Sequence, residues 1–262
     1  MDKKSEDNML GNSKNKYSFL LFSALIISVS LVFSYVGIIY SNMSLARKAL
    51  TDISFSETSQ LPTIVIDAGH GGEDGGASSY GGSPEKDLNL LISNHLCNTL
   101  TAMGFKVVMT RTDDTLLYDK NSDYKGHKKS MDLANRLRIA NSYNNSILIS
   151  IHMNAFPQKQ YKGLQVYYSK NSDKSKRLAE LIQQLNKSVI APDNNRAAKQ
   201  AGSNIYLLDR STETAVLIEC GFLSNDEERE LLNSTEYQKK LAACFAAALI
   251  NFISVDYSEK TV

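Results

Sequence analysis

The chain is short of cysteine and has no surplus of charge. Its 262 residues carry 29 Lys and Arg against 28 Asp and Glu, a formal net charge of +1. Phosphate backbones are bound by a basic excess, so this balance argues against a nucleic-acid partner. The three cysteines, Cys97, Cys220 and Cys244, are odd in number and far apart. They make no disulfide framework and no C-x-x-C zinc pair. Cys97 and Cys244 fall within helical apolar patterns and read as small buried hydrophobes. The sequence has no internal repeat and no low-complexity tract.

One long apolar run is present. Residues 17–40 are 24 positions without a charge. A bilayer core of ~30 Å takes ~20 helical residues, so the run is long enough to span it. It exceeds the ~7–15 residue core of a cleavable signal. Lys3, Lys4, Lys14 and Lys16 precede it; Arg47 and Lys48 follow. That asymmetry places the N-terminus in the cytoplasm and the remainder outside. The predicted order is a cytoplasmic tail at 1–16, a transmembrane anchor at 17–40, a linker at 41–61, a catalytic domain at 62–254 and a tail at 255–262.

Within the domain, short apolar runs alternate with helical patterns. Strands are predicted at 63–66, 106–110, 147–151, 164–168, 204–208 and 215–218. Helices are predicted at 85–103, 130–143, 172–190, 226–233 and 235–253. Gly104 reads as a helix stop and Ser234 as an N-cap. The alternation predicts an α/β fold, a mixed and mostly parallel six-stranded sheet with helices on both faces. Residues 112–129 are the longest irregular stretch.

Polar residues stand where the strands end. The segment T-I-V-I-D-A-G-H-G-G puts His70 in a glycine-rich loop after an apolar run. His152 follows S-I-L-I-S-I, and Glu219 follows A-V-L-I. Glu85 opens a helix one position after Pro84. Sites in open α/β sheets gather at the carboxyl ends of strands, so all four residues can share one cleft. Two imidazoles and a carboxylate are a donor set for catalytic zinc. Zinc lowers the pKa of bound water toward ~7, and a further carboxylate can carry protons. Each residue also has a bland reading: a hydrogen-bonded strand-end histidine, favourable charge at a helix start, an ion-pair partner. Their joint occurrence favours the metal.

Six blocks in order carry a resemblance. They are I-D-A-G-H-G-G at 66–72, the helix-opening Glu85, R-T-D-D at 111–114, A-N-R-L-R-I-A-N at 134–141, S-I-H-M-N-A at 150–155 and E-C-G-F-L-S-N at 219–225. Over residues 63–253 the chain resembles the zinc-dependent N-acetylmuramoyl-L-alanine amidases of the type-3 family. The resemblance implies Zn2+ held by His70, Glu85 and His152, with Glu219 as catalytic glutamate. The substrate would be peptidoglycan, cut between the lactyl group of muramic acid and L-alanine. A zinc peptidase acting within the stem peptide is an alternative, as is a silent wall- or partner-binding domain. Cys220 beside Glu219 raises a thiolate reading with His152, which would leave His70 and Glu85 unexplained.

The stretch from His152 to Gly163 is too short for the autoinhibitory helix of cell-division amidases, and no wall-binding module follows. A single anchor with a bare catalytic domain is most similar to the sporulation amidases. That implies a role in spore-cortex maturation through muramic-δ-lactam, with the catalytic domain in the forespore intermembrane space and an activating lipoprotein as partner. Among residues of lesser weight, Arg111 reads as a scaffold ion-pair partner of Asp113 or Asp114. Arg136 and Asn141 read as braces, Asn154 as orienting the metal loop, His95 as structural, His127 as a solvated loop residue, and 210–214 as a wall of the peptide groove.

Overall fold

The computed structural model describes residues 61–77, 82–119, 121 and 126–257. The predicted anchor at 17–40 and all of the predicted linker but Leu61 lie outside them.

The elements run β1 (Thr63–Ala68), α1 (Glu85–Ala102), β2 (Val107–Met109), α2 (Lys128–Ala140), β3 (Ser146–Asn154), β4 (Gln165–Tyr168), α3 (Asp173–Val189), β5 (Lys199–Gln200), α4 (Tyr206–Arg210), β6 (Thr214–Phe222), α5 (Asp226–Leu232) and α6 (Thr235–Asp256). The six strands form one sheet in the order β2-β1-β3-β6-β4-β5. The pairs β1–β2, β1–β3, β3–β6 and β4–β5 are parallel; β4 runs antiparallel to β6. The predicted fold class is therefore observed.

The central strands are buried on both faces, which is why they read as continuous apolar runs. Alternate side chains feed two cores. Ile64, Ile66, Ile149 and Ile218 pack with Leu88 and Ile92 of α1, Leu178 of α3 and Phe245 and Phe252 of α6. Val65, Leu148, Ala215 and Leu217 pack instead with Ala140 of α2 and Leu207 and Leu208 of α4. Helix α6 is apolar and long enough to cross a membrane. Its Leu241, Phe245, Leu249 and Phe252 are buried against the sheet and its covering helices, so it is a core helix.

The helix ends follow local chemistry. Gly104, at φ +89°, ends α1, and Phe105 N donates to the Leu100 carbonyl at 3.1 Å. Asn225 caps α5 by accepting from Glu228 N at 3.0 Å. Ser234 occupies the N-cap of α6 without a side-chain capping bond; its carbonyl accepts from Gln238 N.

One element differs in type. Of the run N-I-Y-L-L at 204–208, predicted as a strand, Tyr206–Leu208 lie in the helix α4 and Ile205 is its N-cap. A run of this length does not fix its own period. Consecutive Leu207 and Leu208 both face the α2-side core, which a strand forbids and a helix permits. The sixth strand is Lys199–Gln200, exposed on both residues and joined to the edge of β4 by its backbone. It has no side-chain pattern to read.

Candidate active site at the carboxyl edge

The parallel strands β1, β3 and β6 end side by side. His152 on β3 lies in register with Glu219 on β6. His70 follows β1 by two residues, and Glu85 is the first residue of α1. His70 Nε2 lies 3.3 Å from Glu85 Oε1, and His152 Nδ1 lies 3.0 Å from the same oxygen. The two imidazoles stand edge to face at 4.9 Å. One donor atom from each of His70, Glu85 and His152 falls within 4.8 Å of the others.

Glu85 is buried yet fully engaged. Its Oε1 accepts from Met153 N at 3.0 Å, and Oε2 accepts from Ala77 N at 2.7 Å. Burial alone would raise its carboxyl; the two imidazoles outweigh that and hold it far below the usual carboxylate range. His70 is raised: burial opposes its charge, but Glu85 and Asp74 more than compensate. Glu219 goes the other way. Burial pushes its carboxyl up to about 7, with Glu85 adding to the shift and the imidazoles opposing it. Its Oε2 is buried without a hydrogen-bond partner. His70, Asp74, His152 and Glu219 line a cleft of about 250 Å³ whose apolar wall includes Leu133, Ile205 and Leu207.

The loop carrying His70 is held by its carbonyls. His70 has φ +61°, a left-handed conformation uncommon outside glycine. Arg136 Nη2 donates to the His70 carbonyl at 2.7 Å, and its Nη1 to the Ala68 carbonyl at 2.6 Å. Arg111 Nε donates to the Ala68 carbonyl at 2.8 Å, and its Nη2 to the Gly69 carbonyl at 3.0 Å. Asn89 Nδ2 also reaches the Gly69 carbonyl, at 3.1 Å. Arg136 is anchored in turn by Asp67 at 2.9 Å and Asp132 at 2.7 Å. Asp67 accepts further from Thr110 Oγ1 and Ser150 Oγ, at 2.7 and 2.6 Å. Burial would raise the Asp67 carboxyl; Arg136 and the two hydroxyls lower it to about 2. The glycines leave room for this packing. A Cβ on Gly69 would collide with the His152 ring, and one on Gly76 would lie 2.5 Å from Glu85 Oε2.

The lesser sequence expectations divide. Arg111 is scaffold, as predicted, but it binds backbone carbonyls, including that of Asp113, rather than a carboxylate. Arg136 braces the metal loop; Asn141 braces the far end, accepting from Thr212 N at 3.3 Å. Asn154 acts through its carbonyl, which accepts from Leu223 N. His127 is an exposed residue at the start of α2, and His95 is half-buried in α1. Residues 210–214 do not wall the cleft. Thr214 begins β6, and at ~3.3 Å per residue it lies about 16 Å from Glu219, at the opposite edge of the sheet. The segment that does line the cleft is Asn204–Leu207.

Cys244 is buried as expected, Cys97 is only partly so, and Cys220 is buried as well. Burial pushes the Cys220 thiol well above its usual range, which removes the thiolate reading. Asp74 was missed. Its Oδ2 lies 3.0 Å from His70 Nδ1, and Lys129 approaches the same oxygen at 3.4 Å. The usable signal was a carboxylate four residues past a histidine in a glycine-rich turn.

The family model for N-acetylmuramoyl-L-alanine amidase matches residues 64–251. The chain belongs to this family. As an amidase of peptidoglycan it is not the stem peptidase or silent binding domain that the residues alone left open. It is 33% identical over 191 residues to the germination-specific N-acetylmuramoyl-L-alanine amidase of Bacillus subtilis, covering 73% of this chain and 79% of that protein. It is similar to the CwlD amidase of Clostridioides difficile, solved in complex with the GerS lipoprotein: 40% identity, TM-score 0.70, 74% of this chain and 100% of that one. The amidase AmiC2 of Nostoc punctiforme gives 30% identity and TM-score 0.63, covering 75% and 99%.

Proposed function

We propose that this amidase is zinc-dependent, with His70, Glu85 and His152 as ligands and Glu219 as the proton carrier. The observation that carries the reading is the three donor atoms within 4.8 Å of one another, beside a carboxylate oxygen without a partner. Two neutral imidazoles and one carboxylate suit zinc with an open position. When bound, zinc polarises the scissile carbonyl and makes water acidic enough to attack near neutral pH.

The protein's own groups do the rest. Glu219 takes a proton from the attacking water and hands it to the alanine nitrogen as that amine leaves. The raised carboxyl of Glu219 suits both halves of that exchange. Glu85, fixed by three donors besides the imidazoles' own contacts, cannot swing out as a base. Asp74 Oδ2 stands 3.0 Å from His70 Nδ1, a carboxylate on that side of the ring while Nε2 faces the ligand cluster. Asp74→Asn is expected to weaken zinc binding about 10–100-fold while leaving the circular dichroism unchanged. Competition with a chelator reads it; unaltered zinc affinity would refute the role.

Likeness to the germination-specific and CwlD enzymes supports a role in spore-cortex maturation, where stem removal precedes muramic-δ-lactam formation. The GerS complex of CwlD supports a lipoprotein partner here as well. Residues 17–40 would anchor the enzyme, with the catalytic domain on the extracytoplasmic side. Mass spectrometry of digested wall tests the reaction. Free lactyl-muramic residues and intact stems are expected, chelator is expected to stop their release, and Zn2+ to restore it. Shortened stems would overturn the amide assignment. Spores of a deletion strain that still contain the lactam would overturn the sporulation role.

A further inference from the structure

Seven large apolar side chains are exposed among the described residues. The only aromatic ones are Phe156 and Tyr161, 50% and 42% exposed. They touch each other edge to face at 5.2 Å. Tyr161 leads on to the buried ring of Phe222 at 6.4 Å, and the Arg196 guanidinium lies over that ring at 4.7 Å. Exposed aromatics usually gain order from being covered. Here the backbone supplies it. Phe156 N donates to Ser224 Oγ at 3.0 Å, Asn225 Nδ2 to the Lys159 carbonyl at 2.8 Å, and Gly163 N to Glu228 Oε1 at 2.8 Å.

The pair is also close to the chemistry. Phe156 follows His152 by four residues, at most about 14 Å of chain. Phe222 follows Glu219 by three and pairs with Asn154 on β3. A fixed aromatic surface on the loop leaving the site points to a binding role.

We propose that Phe156 and Tyr161 form the platform for the glycan strand of the substrate; this rests on the amidase reading. A pyranose ring has an apolar face of axial C–H groups and a rim of hydroxyls. A flat amphipathic ring such as Tyr meets both. The glycan continues in both directions from the muramic residue, so it needs an open surface. The stem is a chain end with carboxylates, suited to the cleft and its polar donors. A protein partner would need a far larger patch than two side chains.

The chain contains no tryptophan, so Tyr161→Trp places a single indole on the platform. In full-length protein in detergent, carrying Glu219→Gln to prevent turnover, its emission is expected to shift with peptide-free glycan strands and not with free stem peptide. In the same background without the indole, Phe156→Ala with Tyr161→Ala is expected to weaken glycan binding roughly 10-fold, the loss of about one aromatic contact. Tyr161→Trp alone is expected to retain it. A response to stem peptide only, to anionic vesicles only, or to none of these overturns the platform. Release of intact stem peptides from whole peptidoglycan by zinc-loaded wild-type enzyme is the separate control. Its absence rejects the amidase reading, while the binding result needs no turnover.

Discussion

Glu219→Gln is expected to lower kcat by at least about 10²–10⁴-fold with zinc still bound, the usual worth of a general base and acid. Glutamine keeps the size of the side chain and one oxygen but carries no exchangeable carboxyl proton. The loss should fall on kcat and kcat/KM together, because the group acts in the transition state. Metal content by atomic absorption separates this from a ligand defect. The wild-type profile of kcat/KM against pH should fall on the acid side as Glu219 protonates. Burial sets that carboxyl near 7 in the protein alone. A dication beside it favours the charged form, so the limb moves to lower pH when zinc is bound. The Gln variant should lack the limb. A variant that keeps normal turnover would remove Glu219 from the mechanism.

Arg136→Ala should destabilise the domain by about 3–5 kcal/mol, the cost of leaving buried charge unpaired. Both Asp67 and Asp132 lose their cation, and all three side chains are buried. For a domain of this size the melting temperature should drop by about 6–20 °C. The wild type should also carry an acid signature. The folded Asp67 carboxyl is depressed from 3.8 to about 2. Its contribution is complete above the unfolded value and is lost as pH falls through about 2, some 2 kcal/mol in all. Calorimetry from pH 5 to 2 should show that slope in the wild type. A melting temperature within about 2 °C of wild type at neutral pH would mean that the network is not what holds the loop.

Much of this was readable from residues, for identifiable reasons. β1, β3 and β6 are buried on both faces, so their sequences are runs of Val, Ile and Leu that nothing else explains. His70, His152 and Glu219 were found because each borders such a run, and Glu85 because it opens a helix one position after Pro84. The bracing was harder to see. Arg111 and Arg136 donate to carbonyls of residues far off in sequence, and backbone acceptors carry no side-chain signature. Asp67 was visible only as an acid ending an apolar strand, since its partners sit just past β2, on β3 and on α2. β5 exists because β4 leaves an edge to pair with, and two polar exposed residues give no hint of it.

The reversal of β4 has a consequence for how such an enzyme is governed. β3 ends at the chemical edge of the sheet, and β4, running antiparallel to β6, starts there. The ten residues 155–164 therefore leave and return on the same rim, passing the end of the strand that holds Glu219. The β1–α1–β2 and β2–α2–β3 crossovers must traverse the sheet, and their lengths are fixed by its thickness. This one can grow or shrink without disturbing a single strand. Evolution can thus install or delete a gate at this mouth at no cost to the scaffold. A connection as short as residues 155–164 builds no gate of its own. Restraint on a lytic enzyme of this kind then has to come from outside that connection.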